Sequence, residues 1–376
     1  MIAREKLRGI RTWVEIDKTA IAHNYELFRR ILAGKTKLMA VAKSNAYGHD
    51  MRKFVAIMAR LGVDWIGVDS IMEANAIRTS GVLVPTLVLG HTRPERYADA
   101  LRHNVSITVS SLHALKEAAN FSNGNHPLAI HLKIDSGMHR QGIGVDELEE
   151  AITILAKEGR GILLEGVYTH FAGAKDATER EGTVRQIGVF NEACDSLHRA
   201  GFEFMRHAAA TSGALQFPEA HFDMVRIGIG LYGLWPSASL RTTFENEMPL
   251  RPALSWKTII GELKRVQKGE GIGYDHTEIL TRDSVLAVCP IGYWHGYPRI
   301  LSGKGEVVVR NKKARVIGRV SMDMISIDVT DIADVAEDDE VTLLGGAISA
   351  DQIAHAAETI NYEIVTRINP LIKRFY

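Results

Sequence analysis

The sequence predicts an α/β fold, a TIM-like (β/α)8 barrel followed by a mostly β C-terminal domain. Three observations lead to this prediction. Short apolar runs alternate with amphipathic stretches from about residue 36 to about residue 235. About eight such repeats occur, at a spacing of roughly 20 to 35 residues that is typical of βα units. After residue 237 the pattern changes to strand-like runs separated by Gly, Asn and charged turns.

The first part of the chain should form the barrel. Its expected strands lie in the runs "LMAVAK", "WIGVDS", "PTLVLG", "VSITVS", "LAIHLKI", "LEGVYTHF", "RHAAAT" and "VRIGIGLYG". The stretches between them, such as "SLHALKEAANF" and "VDELEEAITILAKEG", have the spacing of helices that bury one face. Parallel neighbours need crossover connections, and about eight βα repeats close into a barrel. We expect this domain to span residues 12–240.

The remaining residues, 241–376, should form a mostly antiparallel β domain. Its strand-like runs include "SWKTIIGELKRVQ", "SVLAVCPIGY", "GEVVVRNKKARVIGRV", "MISIDVTDI" and "DEVTLLGG". Only "SADQIAHAAETI" has a helical pattern. The early run "TWVEID" fits either a strand or the lead-in to a helix, so residues 1–17 could pair with either domain.

The composition is that of an ordinary globular protein. The chain has 376 residues, of which 46% are hydrophobic and 24% charged. Acidic and basic residues balance at 45 each, so no global field favours nucleic acid or an anionic membrane. Cys194 and Cys289 are too few for a disulfide framework or a four-ligand zinc site. With no apolar h-region at the start and no run of about 18 apolar residues, we expect a cytoplasmic protein without a membrane span.

Several chemically capable side chains fall at or just after the ends of expected barrel strands. They are Lys43, Lys133 with Asp135, His170, His207 and Arg226. Each alone would be read as a solvated rim residue, but in a parallel barrel the working residues lie at the C-terminal ends of strands. Together they predict an active site there. Lys43 is the most unusual, because it ends an apolar run and a buried ammonium is costly unless it is paired or neutralised.

One motif would indicate a different fold, a dinucleotide-binding domain. The run "GIGLYG" at 228–233 fits the G-x-G-x-x-G dinucleotide fingerprint and follows a strand-like run. Trp235 and Pro236 stand where the helix of that motif should open, so we reject a Rossmann fold. Its glycines could still offer backbone N–H groups to a phosphate at the end of the last strand. The chain has no Walker A sequence and no histidine pair with zinc spacing, so we expect no metal.

Ordered motifs then point to a family. The run "AVAKSNAYGHD" resembles the cofactor-lysine motif of the pyridoxal phosphate (PLP) dependent alanine racemases. It is followed, in the family's order, by "HLKIDSGMHRQGI", "LEGVYTHFA", "HAAATS", "MVRIGIGLYG", "GIGYDHT", "GYWHGYPR" and "GRVSMDM". The resemblance covers nearly the whole chain and implies the same barrel followed by a β domain. It further implies an isomerase that interconverts L-alanine and D-alanine and so supplies D-alanine for peptidoglycan.

The resemblance also implies how PLP is held. Lys43 would bind the cofactor covalently, which removes the cost of a free buried ammonium. Four residues would contact the phosphate: Tyr47, Thr211, Gly228 and Ile229. His170 would pack against the pyridine ring, and Arg226 would face the ring nitrogen. Because the pKa of an arginine lies above about 12, that nitrogen should stay unprotonated, which limits side reactions such as transamination.

Racemisation needs a base on each face of the reacting carbon. The resemblance gives these bases as Lys43 and Tyr274, with His170 and Arg226 helping the tyrosine to ionise. In the family the tyrosine reaches the active site of the partner subunit, and Met322 does the same. We therefore expect a homodimer with shared active sites.

Three further residues receive roles from the resemblance. Arg140 would contact the substrate carboxylate, and Lys133 would be carbamylated, so that an anion orients Arg140. Tyr293 would line the entrance to the site.

The chain departs from the common family pattern at three places. Ala210 and Thr211 replace Asn-Ser, and Ser321 replaces a frequent Cys before Met322. Near the C-terminus, a tyrosine that limits room beside the substrate methyl is replaced at or next to Asn369.

The third departure resembles the serine-accepting racemases, which typically carry a membrane domain that this chain lacks. A serine or broad-specificity racemase is therefore one alternative. A second alternative, a non-catalytic PLP-binding protein, would resemble the barrel alone. PLP decarboxylases of basic amino acids share the barrel but lack the Tyr274 context and use a cysteine motif not found here.

Overall fold

The computed structural model describes residues 7–121 and 126–376. The chain forms two compact units. Within the described residues, the barrel unit consists of residues 21–46 and 51–251, and the β unit of residues 7–20, 47–50 and 252–376. The division after residue 251 lies later than the expected 240, and the β unit also contains a four-residue insertion, 47–50, from the early part of the chain.

The strands, in chain order, are β1 (Thr12–Ile16), β2 (Lys37–Val41), β3 (Trp65–Val68), β4 (Thr86–His91), β5 (Ser106–Val109), β6 (Leu128–Lys133), β7 (Ile162–Tyr168), β8 (Met205–His207), β9 (Met224–Ile227), β10 (Leu254–Ile259), β11 (Glu262–Val266), β12 (Gly271–Ile272), β13 (Glu278–Ile279), β14 (Ser284–Cys289), β15 (Glu306–Val309), β16 (Lys312–Ile317), β17 (Ile325–Asp328), β18 (Glu340–Leu344) and β19 (Lys373–Phe375). The α-helices are α1 (Lys18–Ile31), α2 (Met51–Arg60), α3 (Ile71–Thr79), α4 (Tyr97–Arg102), α5 (Leu112–Asn120), α6 (Leu148–Glu158), α7 (Arg180–Arg199), α8 (Thr211–Gln216), α9 (Ala238–Phe244), α10 (Ala350–Ala356) and α11 (Asn361–Thr366).

The barrel unit is built on a parallel sheet of eight strands in the order β8-β7-β6-β5-β4-β3-β2-β9. The sheet is nearly closed, because a parallel bridge joins Ala210 and Arg226 between the chain after β8 and β9. A cluster of Met39, Trp65, Leu87 and Met224 fills part of its core. The predicted eight-stranded barrel is confirmed, and the Rossmann alternative is excluded by the single, nearly closed ring of parallel strands.

The helices that connect the barrel strands show how the sequence specifies the outer layer of the barrel. Helix α2 buries Met51, Phe54, Val55 and Met58, which recur at the spacing of one helical face. Helix α3 begins at a serine cap, where the Ser70 hydroxyl accepts a hydrogen bond from a backbone N–H in the first turn. The amphipathic pattern read from the sequence therefore places each apolar face against the strands.

The β unit is a nine-stranded sheet in the order β11-β14-β17-β16-β15-β18-β10-β1-β19. Strand β1 pairs antiparallel with β10 and parallel with β19, so the early "TWVEID" run joins this unit. The unit also has a helix that the sequence analysis did not predict, α11 (Asn361–Thr366). It is a short helix containing β-branched residues, which have weak helix propensity, and the buried Ile364 and Val365 hold it in place.

Candidate active site

The C-terminal rim of the barrel brings together most of the expected site residues. Lys43 follows β2, Lys133 ends β6, His170 follows β7, and Arg226 lies in β9. All of these strands run parallel, so their C-terminal ends meet on one face of the barrel.

Four cations converge at this rim. The pKa of Lys133 is lowered to about 8 by burial and by the charges of Arg140 and Arg226, with a smaller contribution from Lys43. The pKa of His170 is held well below its usual range by burial and by the same four cations, led by Arg226. Such a concentration of positive charge suits an anionic ligand that carries phosphate or carboxylate groups.

Arg226 is the most buried of these cations, with 3% of its surface exposed. Its Nη2 donates to the carbonyl oxygens of Thr169 and Ala208, both at 2.8 Å. The same nitrogen lies 3.2 Å from His170 Nδ1, and Nη1 lies 2.9 Å from His207 Nδ1. Burial lowers the pKa of Arg226 only to about 10, so the guanidinium stays charged at neutral pH. Its orientation is set by four acceptors on neighbouring strand ends.

The network continues into the barrel through residues that the sequence analysis did not single out. His207 Nε2 lies 2.8 Å from His131 Nδ1, and His131 Nε2 lies 3.4 Å from a carboxylate oxygen of Glu165. Tyr168 stacks on the His207 ring at a centroid distance of 4.7 Å. A sequence signal was present, since a histidine and a glutamate interrupt otherwise apolar strands in "LAIHLK" and "ILLEGVY". Polar residues inside such runs are informative because they need buried partners.

The expected phosphate contacts in the barrel unit lie at the ends of its last two strands. The backbone N–H of Gly228 donates to the hydroxyl of Thr211 at 3.2 Å. A 3₁₀ turn, Ile229–Tyr232, follows directly. A Cβ at Gly230 would lie 2.4 Å from the Phe28 ring, so only glycine lets this turn pack closely. The loops after the seventh and eighth barrel strands are a frequent phosphate site in this fold.

The turn after Lys43 has an uncommon backbone. Ser44, Asn45, Ala46 and Tyr47 all have φ between 52° and 55°, in the left-handed region that non-glycine residues rarely adopt. Its first peptide is held by the Glu73 carboxylate, which accepts a hydrogen bond from the Ser44 N–H at 2.8 Å. The Asn45 side chain accepts another from the Met51 N–H at 3.0 Å. Such strain persists only where the surrounding structure over-determines it, which is common at functional sites.

Tyr47 belongs to the β unit, unlike the other expected phosphate contacts. It is 8% exposed, and its ring lies 6.2 Å from that of Tyr362. Burial raises the pKa of Tyr47, so its phenol stays protonated and can donate a hydrogen bond. Its role at a phosphate stays a prediction.

Three other expected residues of the β unit are exposed on linked loops. Tyr274 is 69% exposed, Met322 55% and Tyr293 42%. The N–H of Tyr293 donates to the carbonyl oxygen of Ser321 at 3.0 Å, which joins its turn to the loop of Met322. Arg319, three residues before Met322, pairs with Asp275 beside Tyr274 at 3.1 Å. Large apolar and aromatic side chains gathered on an exposed surface are typical of an interaction site.

Asn369 has its side chain engaged within the β unit. Its Nδ2 donates to the carbonyl oxygen of Trp294 at 3.0 Å, and its Oδ1 accepts from the Leu371 N–H at 2.9 Å. Its own N–H donates to the His295 carbonyl oxygen. The structure thus shows Asn369 as a tether of the 293–295 turn, and its contact with a substrate stays a prediction.

Neither a metal centre nor a membrane-spanning helix is found in the described parts of the chain. No group of His, Cys, Asp or Glu residues there could hold a metal ion. Over the same residues, no helix has both the length and the apolar character needed to cross a membrane.

Comparison with known proteins accounts for almost the whole chain. The family model of the alanine racemase N-terminal domain matches residues 16–236, and that of the C-terminal domain matches residues 253–376. The chain is 38% identical to an alanine racemase of Desulforamulus reducens over 369 residues, which covers 97% of this chain and 98% of that protein.

Solved structures agree with the sequence relatives. An alanine racemase of Clostridium difficile 630 matches with a TM-score of 0.91 at 32% identity, covering 97% of this chain and 95% of that one. An alanine racemase of Bacillus anthracis, solved with bound L-Ala-P, matches with a TM-score of 0.89 at 36% identity, covering 96% of this chain and 93% of that one. The chain therefore belongs to the alanine racemase family.

Proposed function

We propose that this protein interconverts L-alanine and D-alanine with PLP as its cofactor. The observation that carries this proposal is the rim of the barrel, where Lys43, Lys133, Arg140 and Arg226 surround His170. Membership of the alanine racemase family supports the same assignment.

The residues at the rim fit the chemistry of PLP. The cofactor carries a phosphate, a phenolic oxygen, an aldehyde and a pyridine nitrogen, and the rim offers cations, backbone N–H groups and a lysine amine. Three barrel residues, Thr211, Gly228 and Ile229, would hold the phosphate together with Tyr47, and Lys43 would hold the aldehyde carbon through its amine. When bound, PLP withdraws electrons from the substrate and makes the proton on the α-carbon acidic.

The side chains around the ring have defined tasks. Arg226 would face the pyridine nitrogen as a donor, and because its guanidinium stays charged at neutral pH it would not supply a transferable proton there. His170 is neutral at neutral pH, because burial and four nearby cations lower its pKa. His170 would pack against the ring without adding charge. These two residues favour reversible proton movement at the α-carbon over a long-lived charged ring.

Two bases are needed, one for each face of the α-carbon. Lys43 serves one face. We assign the other to Tyr274 of a second copy of the chain, because Tyr274 lies in the exposed set with Tyr293 and Met322 that suits an interface. Met322 would accompany it, and Tyr293 would line the entrance. The active protein is then a homodimer with shared sites.

Lys133 and Arg140 would position the substrate carboxylate. Because its pKa is lowered to about 8, roughly a tenth of Lys133 is a neutral amine at pH 7, far more than for an ordinary lysine, and can react with carbon dioxide. The resulting carbamate is an anion that would orient Arg140. Mass spectrometry of protein kept in bicarbonate, compared with a Lys133→Met variant, tests this modification.

The decisive experiment follows α-proton exchange in heavy water together with inversion, read by chiral chromatography. Purified protein with PLP should convert each alanine enantiomer into the other. Lys43→Ala and Tyr274→Phe should each abolish inversion. In addition, each variant should reduce exchange of a different enantiomer more strongly, because each base serves one face. Absence of inversion in the wild type would refute the proposal, and inversion unchanged in Tyr274→Phe would remove that residue from it.

Serine or broad-specificity racemisation is the second candidate, favoured by the residue at or next to Asn369. A panel of amino acids in the same assay decides between them. A non-catalytic PLP-binding role is another alternative, which exchange with inversion would exclude.

We further propose that the protein works in the cytoplasm and that the D-alanine it makes supplies peptidoglycan. Loss of the gene should then create a requirement for D-alanine that the Lys43→Ala variant does not relieve.

A further inference from the structure

Arg226 is a buried cation without a carboxylate beside it. Among the described residues, its hydrogen-bond partners are two carbonyl oxygens and the Nδ1 atoms of His170 and His207, and its guanidinium also lies 5.1 Å from the centroid of the Tyr168 ring. None of these partners carries a negative charge. A buried charge without a counter-ion is costly, so a more distant anion should compensate it.

The hydrogen bonds lead from Arg226 to one such anion. An arginine can only donate, so His207 Nδ1 must accept and the His207 proton must lie on Nε2. This Nε2–H faces His131 Nδ1 at 2.8 Å, so His131 must accept in turn and carry its own proton on Nε2. That nitrogen is buried and faces the Glu165 carboxylate at 3.4 Å, an ion-pair distance without a regular hydrogen bond. The hydrogen bonds therefore run in one direction, from a guanidinium through two neutral imidazoles, and the second imidazole directs its N–H toward a carboxylate.

The packing inside the barrel leaves room for this row of side chains. Both imidazoles are fully buried, and a Cβ at Gly166 would lie 2.3 Å from His131 Nδ1. Only glycine at position 166 leaves room for the ring. The pairing of β6 with β7 shifts at this point, from Ile130 with Leu164 to His131 with Gly166, which leaves Glu165 as an extra residue. Such a bulge can re-aim a side chain, and here the carboxylate of Glu165 reaches His131 and the hydroxyl of Ser106.

We propose that Glu165 is a positioning residue which, through His131 and His207, supplies the counter-charge of Arg226 and fixes the proton on Nε2 of both histidines. With this arrangement, His207 presents a lone pair to Arg226. In the opposite arrangement an N–H would face the N–H of the guanidinium at 2.9 Å, and the guanidinium would have to turn away. Glu165 therefore sets the orientation of Arg226 at the barrel rim from inside the barrel.

The inference rests on the proposed function only in its kinetic consequence. In the proposed function Arg226 would face the cofactor rather than the amino acid, so disturbing its orientation should slow the chemical step and leave substrate binding nearly unchanged. The tautomers of the two histidines, in contrast, can be measured whether or not the protein racemises alanine. Failure of the proposed function and failure of this inference are therefore distinguishable.

The first measurement is the tautomer of each histidine in the PLP-loaded protein. Protein labelled with ¹⁵N in histidine is studied by long-range ¹H–¹⁵N correlation, with signals assigned from single histidine substitutions. We expect both His131 and His207 to be neutral with the proton on Nε2. A proton on Nδ1 of His207 in the wild type would overturn the proposal without any Glu165 variant being needed.

The second measurement uses Glu165→Gln, which keeps the size of the side chain but removes its charge. Its amide can donate to His131 as well as accept, so the fixed proton order is lost. We expect mixed tautomers at both histidines and a kcat for alanine about tenfold lower, with KM changed by less than about twofold. Glu165→Asp keeps the charge and should restore the Nε2 protons and part of the rate.

A matched control separates this effect from a general loss of stability. Asp64 has a carboxylate of similar exposure, 31% against 28% for Glu165, and pairs with Arg29 at 3.0 Å. Asp64→Asn should lower stability without changing either tautomer or the kcat for alanine. Wild-type tautomers and wild-type kcat in Glu165→Gln would refute the proposal, as would tautomers disturbed equally in Asp64→Asn.

Discussion

The Glu73 carboxylate accepts a hydrogen bond from the Ser44 N–H at 2.8 Å, directly after Lys43. Its second oxygen accepts another from the Asp69 N–H, also at 2.8 Å. One side chain thus ties together the chain after β2 and the chain after β3. It does so at the start of four consecutive non-glycine residues with positive φ, from Ser44 to Tyr47.

Replacing Glu73 should therefore loosen the turn that follows Lys43, the residue proposed to bind PLP. Glu73→Ala leaves two backbone donors without their carboxylate, and we expect a loss of about 1–3 kcal/mol in the free energy of unfolding. PLP should also dissociate faster, because the strained turn relaxes. Denaturant unfolding and the release of PLP under dilution measure the two effects. Met72→Ala, at an exposed neighbour in the same helix, should change neither, and unchanged PLP release in Glu73→Ala would contradict the assignment.

Gly48 should tolerate no side chain. It has φ of +84°, and a Cβ would lie 2.1 Å from the Val365 carbonyl oxygen. Gly81 has the same φ but no atom within 4 Å of its Cβ position, which makes it a matched control. Gly81→Ala should cost about 1–2 kcal/mol from backbone strain alone. Gly48→Ala should cost clearly more, or give little soluble protein. Equal losses in thermal unfolding would show that the close approach is unimportant.

The buried Lys133 should change how the free energy of unfolding depends on pH. In the folded protein the pKa of Lys133 is lowered from 10.5 to about 8, mainly by burial. Between these two values the unfolded chain binds more protons than the folded one, so this residue makes the free energy of unfolding rise with pH. Compared with Lys133→Met in buffer free of carbon dioxide, the wild type should gain about 3 kcal/mol across that window. Parallel profiles for the two proteins would contradict the lowered pKa.

Asn369 can be tested as a determinant of substrate size. Asn369→Tyr restores the bulk common in the family, and we expect the ratio of serine to alanine turnover to fall. It also removes the hydrogen bonds to Trp294 and Leu371, so the free energy of unfolding should drop by about 1–2 kcal/mol. Asn369→Asp loses the bond to Trp294 without adding bulk and should change stability but not the ratio. A ratio unchanged in Asn369→Tyr would remove the residue from the specificity argument.

The periodicity of the sequence was sufficient to predict the barrel, because hydrophobic spacing and crossover length depend only on local chain geometry. The same reasoning predicted that Lys43, Lys133, His170 and Arg226 share one rim, since parallel strands bring their C-terminal ends together. It missed helix α11, whose weak local propensity is overcome by burial of Ile364 and Val365. It also missed residues 47–50 as part of the β unit, because no local pattern marks an insertion of four residues.

By itself, the sequence determined the architecture, the place of Lys43 after a barrel strand and the family motifs, all of which depend on residue type and order. Only the tertiary structure decided which residues act on Arg226. His131 and Glu165 lie on neighbouring strands, and they meet because a bulge in β7 turns Glu165 toward a ring that Gly166 makes room for. Register, bulges and side-chain direction arise from packing between strands distant in sequence. A buried charge and its counter-charge therefore come together only in the folded barrel.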